Sequence, residues 1–215
     1  LTLKGHTAGI NSVGFSPNGQ YIVTGSDDQT ARVWDSKTGK EQFRLIGHTA
    51  PINSAIFSSN GTHIVTGSAD KTLKVWNAQT GQERYTLKGH NGTVFTVAVS
   101  PNARLIASAS ADATAKLWNL ETGEEIRTFT LRNSSIYTVA FSPDSKRVVL
   151  GSDKTVAIWE VTEEAPLLTL QGNTSKVMVV AYAPNGKQIV TGGNDQVIRV
   201  WDSQTGWELL QHKGH

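Results

Sequence analysis

Three residue types that could form a nucleophilic triad recur at fixed spacing along the chain. One set is His48, Ser68 and Asp70, and equivalent sets begin at His6 and His90. A hydrolytic triad needs one exposed serine on a sharp turn beside an oxyanion hole. Here the set occurs three times, each time followed by a tryptophan. We therefore interpret these residues as structural, and we expect no enzymatic activity and no catalytic residue.

The histidines also lack the spacing of a metal site. His6, His48 and His90 are 42 residues apart, and the chain contains no cysteine that could add a ligand. The glycines form neither a phosphate-binding loop nor a dinucleotide fingerprint. We therefore expect no metal and no cofactor.

One basic residue recurs in four of the five copies. Such a column could bind phosphate groups, but one cation per copy on an alternating strand is also typical of a solvated face, and Ala157 interrupts the column. We favour the solvated face. The four residues are Arg32, Lys74, Lys116 and Arg199.

The composition is that of an ordinary globular protein. The 215 residues carry a formal net charge of +2, which gives no sign of a dedicated nucleic-acid or membrane surface. No apolar run approaches the ~20 residues that span a bilayer. We expect a cytoplasmic protein without membrane contact, and nucleic acid is an unlikely partner.

The chain starts at Leu1 and its only methionine is Met178, so we expect a piece of a longer protein.

The histidine spacing is part of a repeat that extends over the whole chain. The units run approximately over 6–47, 48–89, 90–131, 132–172 and 173–214, and the pattern returns at His215. Each unit predicts four short strands, because Pro, Asn-Gly and Asp-containing turns interrupt the apolar segments. In the first unit the predicted strands are Ile10–Phe15, Tyr21–Gly25, Thr30–Trp34 and Glu41–Leu45.

The predicted fold is all-β. The first two strands of a unit are apolar on both faces and the fourth is the most polar. We therefore expect burial to fall from the first strand, which lines an axis, to the fourth, which meets water. Four-stranded antiparallel sheets with this gradient are the blades of a β-propeller, here with five blades.

The Gly-His, Ser-x-Asp and Trp-Asp elements at this spacing resemble the WD-repeat β-propellers, and the resemblance covers essentially the whole chain. It implies a buried hydrogen-bond network of His, Ser, Asp and Trp within a blade. Carried over by position, the network residues are His6, Ser26, Asp28 and Trp34; His48, Ser68, Asp70 and Trp76; and His90, Ser110, Asp112 and Trp118.

The last two units depart from this pattern. Arg132 and Asn173 replace the histidine, and Gly193 replaces the serine of the fifth unit. We therefore expect the full network in neither unit. The network residues that they keep are Asp153, Trp159, Asp195 and Trp201.

The resemblance also implies a function, that of a rigid, non-catalytic scaffold that docks a protein or peptide on its narrow end. That end is formed by the loops from fourth to first strands and by the turns between second and third strands. An alternative is that the apolar residues plug the central channel, and another is a sensor that binds a small molecule or nucleic acid there. The candidate partner-binding residues are Asn11, Asn53, Phe95, Tyr137, Met178, Asp27 and Asn194.

Five units raise the question of how the ring closes, because most propellers of this family have seven blades. Residues 1–4 and 208–211 both have the pattern of a fourth strand, and one closed ring needs only one of them. We favour part of a larger or oligomeric ring, in which unpaired terminal blades associate. A closed five-bladed monomer is the second alternative.

Overall fold

The computed structural model describes residues 1–131 and 134–213, and all regular secondary structure in these ranges is β-strand. None of the described residues forms a helix long and apolar enough to cross a membrane.

Twenty strands form five antiparallel sheets of four strands each, which we call blades 1 to 5. Blade 1 comprises β1 (Ile10–Phe15), β2 (Tyr21–Ser26), β3 (Thr30–Asp35) and β4 (Glu41–Ile46). Blade 2 comprises β5 (Ile52–Phe57), β6 (His63–Ser68), β7 (Leu73–Asn77) and β8 (Glu83–Leu87). Blade 3 comprises β9 (Val94–Val99), β10 (Leu105–Ser110), β11 (Thr114–Asn119) and β12 (Glu125–Thr130). Blade 4 comprises β13 (Thr138–Phe141), β14 (Arg147–Gly151), β15 (Val156–Glu160) and β16 (Leu168–Leu170). Blade 5 comprises β17 (Val177–Tyr182), β18 (Gln188–Gly193), β19 (Val197–Asp202) and β20 (Glu208–Lys213).

The strands of each blade follow one another as a meander, and the chain then passes to the next blade. The turn between first and second strands is closed by side chains, as where Ser16 Oγ donates to Asn18 Oδ1 at 2.7 Å. Gly19 follows with φ of 70°, a conformation that glycine adopts without strain. The four predicted strands of blade 1 are therefore confirmed, with three of them one residue longer than predicted.

The two ends of the blades differ, and we name them by their residues. The histidine end carries the loops between blades and the turns between second and third strands, and Asp27 N donates to Gly9 O there at 2.9 Å. The proline end carries the turns between first and second strands, such as that of Pro17. The candidate partner-binding residues belong to the loops and turns of the histidine end.

The first strand of four blades contains a β-bulge near the histidine end. In blade 1 the pairing with β2 shifts between Ile10 and Ser12, so Asn11 has no partner in the ladder. A bulge re-aims the side chain of its extra residue. The bulged residues are Asn11, Asn53, Phe95 and Met178.

Burial does not fall steadily from the first strand to the fourth, so that prediction is wrong. In blade 2 the second strand is buried throughout, whereas the first is only partly buried and the fourth is mostly exposed. The middle strands are covered on both faces by neighbouring blades. The first strand has fewer neighbours because it lies at the inner edge of its sheet.

The apolar core consists of four clusters, and each lies between two consecutive blades. Between blades 1 and 2, for example, Val23, Val33 and Leu45 pack against Ile52 and Trp76. The remaining clusters join blades 2 and 3, 3 and 4, and 4 and 5. A blade is therefore stabilised by its neighbours rather than by a core of its own.

The five sheets are not closed into a ring. Ile10 and Val13 are 54% and 68% exposed on blade 1, whereas the equivalent Ile52 and Ala55 on blade 2 are 0% exposed. On the opposite face of the array, Leu210 of blade 5 is 61% exposed. The structure thus leaves two apolar blade faces uncovered and does not show the closed five-bladed monomer.

The two segments predicted as fourth strands behave differently. Residues 208–213 form β20, but residues 1–4 form no strand. Leu1 lies beside Gly39, since a Cβ added there would be 3.1 Å from the leucine side chain, and Phe43 has the same position beside Gly81. Leu1 therefore occupies the place of a fourth-strand residue from a preceding blade.

Candidate functional site

The repeated histidine connects three elements of its blade. In blade 1, His6 Nδ1 lies 2.8 Å from Asp28 Oδ2, and His6 Nε2 lies 2.7 Å from Thr24 Oγ1. Trp34 Nε1 donates to the same hydroxyl at 2.9 Å. A neutral imidazole with its proton on Nδ1 satisfies every group in this chain of bonds. Blades 2 and 3 repeat the arrangement around His48 and His90, with distances between 2.7 and 3.0 Å.

The hydroxyl in this network was assigned wrongly from the sequence. Ser26 accepts a hydrogen bond from Asp28 N at 3.1 Å and donates to Ala8 O at 3.4 Å, so it closes the turn and does not contact His6. Ser68 and Ser110 have the same role. The network hydroxyl lies two residues earlier, on the same face of the second strand. Its column in the sequence is Thr24, Thr66, Ser108 and Thr191, with Leu150 in blade 4.

The network holds its carboxylates ionised and its imidazoles neutral. Burial opposes ionisation of Asp112, but hydrogen bonds from Thr114, Asn91 and His90 outweigh it and lower the pKa of this carboxyl to about 2. Burial lowers the pKa of His90, although the hydrogen bond to Asp112 opposes the shift. The pKa values of Asp70 and His48 shift in the same directions for the same reasons.

This arrangement cannot attack a substrate that arrives from solvent. The Thr66 side chain is 0% exposed and its oxygen already contacts both His48 and Trp76. A nucleophile needs an open approach to its oxygen. The geometry therefore gives the recurrent residues a structural role. Across residues 1–131 and 134–213, no group of three or more His, Cys, Asp or Glu side chains could hold a metal ion.

The basic column is not a solvated face, so that interpretation is wrong, and it is not a phosphate-binding stripe. Lys116 is 8% exposed, and its Nζ donates to Glu125 Oε1 and Thr128 Oγ1, both at 2.8 Å. These ion pairs join the third strand to the fourth, and in blades 2 and 3 the lysine Nζ lies 6.0 Å from the centroid of the tryptophan ring. In the sequence, a glutamate follows each of these cations by nine residues, and this spacing was the signal for the ion pairs. The pairs are Arg32–Glu41, Lys74–Glu83, Lys116–Glu125 and Arg199–Glu208.

Blades 4 and 5 depart from the network in different ways. Arg132 and His215 lie outside the described residues. In blade 4, Asp153 accepts hydrogen bonds from Ser134 and Tyr137, both at 2.9 Å, and Trp159 packs 5.7 Å from the Phe129 ring.

In blade 5 only part of the network changes. Trp201 Nε1 still donates to Thr191 Oγ1 at 2.9 Å. The aspartate is instead bound by Arg199, whose Nη1 donates to Asp195 Oδ2 at 2.7 Å. Asn173 Oδ1 lies 3.5 Å from the threonine hydroxyl, at the edge of hydrogen bonding. The full network is therefore absent from blade 5, as expected, but a guanidinium takes over the contact to the carboxylate.

The bulged asparagines are bound within the structure rather than free for a partner. Asn11 Nδ2 donates to Ile52 O at 3.2 Å, and Asn53 Nδ2 donates to Val94 O at 2.8 Å. Each bond links the first strand of one blade to the first strand of the next. Asn11 also donates to Asp27 Oδ1 at 2.6 Å. The two asparagines therefore link neighbouring blades and Asp27 binds one of them, which weakens the assignment of these three side chains to partner binding.

The apolar members of the same column lie on blades 3 to 5. The ring centroids of Phe95 and Tyr137 are 5.4 Å apart, and Met178 is 46% exposed. Lys176, which the sequence analysis did not select for partner binding, lies with its Nζ 5.0 Å from the Tyr137 centroid. Asn194 is exposed nearby, and its backbone N–H donates to Lys176 O at 2.9 Å. We call Phe95, Tyr137, Lys176 and Met178 the Tyr137 cluster.

Comparison with known proteins agrees with the repeat. The family model described as "WD domain, G-beta repeat" matches residues 1–35, 39–77, 81–119, 123–160 and 164–202. The chain is 52% identical over 40 residues to the ribosome biogenesis protein BOP1 homolog of Aedes aegypti, a match that covers 19% of the chain and 5% of that protein. It is 57% identical over 37 residues to the BOP1 homolog of Leishmania braziliensis, covering 17% and 5%. These matches have about the length of one repeat, and they span only 5% of the relatives.

Proposed function

Because the chain belongs to the WD40-repeat family, we propose that it is a non-catalytic scaffold that docks a protein or peptide on its histidine end. The observation that supports this proposal is the Tyr137 cluster, in which two aromatic rings pack together beside an exposed cation and Met178 is exposed at the same end. Exposed apolar side chains grouped on a rigid surface are typical of interaction sites. We also propose a cytoplasmic location, and the near-balanced formal charge of +2 supports a protein partner rather than nucleic acid or an anionic membrane.

The relatives do not make the proposal more specific. The words "ribosome biogenesis" describe proteins of which only 5% is matched by this chain. A match of one repeat length supports the fold of that repeat and not a shared partner. We therefore propose a class of function rather than a biological process.

A small molecule or nucleic acid in the central channel is less well supported. In the described part of the chain, two cavities lie between blades at the proline end. One, of about 510 Å³, is lined by residues that include Asn60, and the other, of about 310 Å³, by residues that include Asn185. A small molecule there would not contact the Tyr137 cluster. A ligand that raises the melting temperature without any protein partner would favour this alternative.

The exposed faces of blades 1 and 5 support a second element of the proposal, self-association of the chain. The exposed Ile10 of blade 1 and Ile198 of blade 5 occupy the positions of Ile52 and Leu73, which are buried between blades. A second copy stacked on either face would bury them in the same way. Light scattering at several concentrations tests this, because association raises the average mass with concentration and a constant monomer mass contradicts it.

Site-specific photo-cross-linking tests the scaffold proposal. A photoreactive residue at Met178 is expected to form adducts with protein in an extract of the source cells, and Tyr137→Ala in the same chain is expected to abolish them. The matched control places the photoreactive residue at the exposed Asn185, at the proline end. Adducts that persist with Tyr137→Ala, or that form equally at both positions, would contradict docking at the histidine end.

A further inference from the structure

The side chain of Tyr137 is held in one orientation from several directions. Its hydroxyl donates to Asp153 Oδ1 at 2.9 Å, and Ser134 Oγ donates to the second oxygen of that carboxylate at 2.9 Å. The backbone carbonyl of Tyr137 accepts a hydrogen bond from Thr96 Oγ1 at 2.8 Å, which fixes the main chain at this residue. A side chain that is already ordered loses little entropy when a ligand binds to it. Tyr137 is therefore a pre-organised contact point.

The ring of Tyr137 is also covered by neighbours from two other blades. Phe95 of blade 3 approaches with an interplanar angle of 34°, and Lys176 of blade 5 lies over the ring. Met178, the bulged residue of β17, adds an exposed and flexible apolar side chain at the same end of the blades. The cluster therefore offers apolar edges and a methionine rather than an open aromatic face.

The charge beside this apolar surface is positive and unpaired. In the described part of the chain, no carboxylate oxygen lies within 4.0 Å of Lys176 Nζ. Asp153, which binds the Tyr137 hydroxyl, already accepts hydrogen bonds at both oxygens. Lys176 is exposed. A ligand carboxylate can therefore pair with a cation here without displacing an existing ion pair.

From this arrangement we infer that the Tyr137 cluster binds an extended peptide in which an acidic side chain is adjacent to an apolar one. The apolar side chain contacts Phe95, Tyr137 and Met178, and the carboxylate pairs with Lys176. This inference rests on the proposed scaffold function and specifies its partner. Single-stranded nucleic acid fits the cluster less well, because base stacking needs an aromatic face that is free.

The part of the histidine end that blades 1 and 2 form cannot offer the same site. Asn11 and Asn53 occupy the equivalent bulges, and their amides are bound to backbone carbonyls of the next blade. Asp27 adds a negative charge there. An acidic peptide is therefore expected to lie across blades 3 to 5 and away from blade 1.

Selection from a random heptapeptide library tests the inference directly. Peptides enriched on the unmodified chain are expected to carry Asp or Glu beside an apolar residue. The same selection on Lys176→Glu is expected to enrich Lys or Arg at that place. Because a charge-assisted hydrogen bond is lost, Lys176→Gln is expected to weaken the first peptides about tenfold. The matched control, Lys187→Gln at the proline end, is expected to leave their affinity unchanged.

Further variants keep the result interpretable. Tyr137→Phe retains the ring but loses the bond to Asp153, and is expected to bind more weakly than the unmodified chain and more tightly than Tyr137→Ala. Melting curves show that each variant is folded. Enriched peptides without carboxylates, or with affinities insensitive to Lys176 and Tyr137, would overturn the inference and leave the scaffold proposal standing. No enrichment would also overturn it, and the cross-linking experiment would then decide the scaffold proposal separately.

Discussion

Arg199 Nη1 donates a 2.7 Å hydrogen bond to Asp195 Oδ2 in blade 5, to the carboxylate oxygen that a histidine imidazole contacts in blades 1 to 3. The histidine position is Asn173, whose side chain is too short to link Asp195 to Thr191. The arginine of the third strand thus replaces one of the two histidine contacts. Asn173 Nδ2 is buried without a hydrogen-bond partner among the described atoms, whereas the unpartnered Nε of Arg199 has a counterpart in Arg32 Nε of blade 1.

Restoring the histidine is therefore expected to stabilise blade 5. With Asn173→His, the imidazole can contact Asp195 and Thr191. Arg199 Nε already lies 3.4 Å from Glu208 Oε2, and Nη1 is then free to pair with that glutamate, as Arg32 Nη1 pairs with Glu41 at 2.6 Å in blade 1. We expect the free energy of unfolding in urea to rise by about 1 kcal/mol. Asn185→His, at an exposed turn, is the control and should have little effect. A decrease for Asn173→His would show that the arginine arrangement is the better one in this blade.

Replacing the network hydroxyl is expected to destabilise the protein. Thr66→Val keeps the size of the side chain but leaves Trp76 Nε1 without its acceptor and His48 Nε2 without a partner. Because these groups stay buried, we expect a loss of about 2 kcal/mol in the free energy of unfolding. Thr49→Val is the control, since that exposed residue contributes only its backbone N–H to Asp70. Equal stabilities of the two variants would contradict the network.

Much of the fold could be predicted from the sequence, because turns and apolar periodicity are local signals. Strand boundaries, such as Ile10–Phe15, needed no knowledge of neighbouring blades. The choice of Ser68 over Thr66 failed because both hydroxyls precede Asp70 closely, and only the register of the second strand decides which one reaches His48. Register depends on long-range pairing that a single sequence does not reveal.

The candidate site was less predictable than the fold for a related reason. Phe95 and Met178 could be selected because they vary where other copies have asparagine. Their projection depends on β-bulges, and the position of Lys176 over Tyr137 depends on how blade 5 packs against blade 4. The cations of the third strand were misinterpreted because a charged residue in an alternating strand usually faces water, and the paired glutamates were overlooked.

Stability is expected to fall on acidification in two stages. Burial lowers the pKa of His48 and His90 below the ordinary value of 6.5, so the unfolded chain binds protons first as the pH falls. Stability conferred by the neutral imidazoles is thus complete above pH 6.5 and is lost below it. The carboxyl of Asp112, with its pKa lowered from 3.8 to about 2, adds a second loss between these values. Urea unfolding measured at a series of pH values checks this, and a constant stability between pH 7 and 5 would contradict the first stage.

The buried ion pairs are expected to couple the third and fourth strands. Lys116→Met removes the cation and leaves Glu125 bound only by Thr128, so the free energy of unfolding should fall. Glu125 is about a third exposed, which limits the loss to about 1 kcal/mol after solvent screening. A double-mutant cycle with Glu125→Gln measures the coupling. Additive effects of the two substitutions would show that the pair does not contribute.

The central claim is that recurrent residues build the blades and that the varying residues of the histidine end bind the partner. Hydrogen–deuterium exchange of the chain, with and without the library-selected acidic peptides, tests it most directly because it reports on every backbone amide. We expect slower exchange within residues 93–96, 134–138 and 174–179, and no change at the proline end. Protection at the proline-end turns, at the exposed faces of blades 1 and 5, or around Asn11 and Asn53 instead would contradict the account.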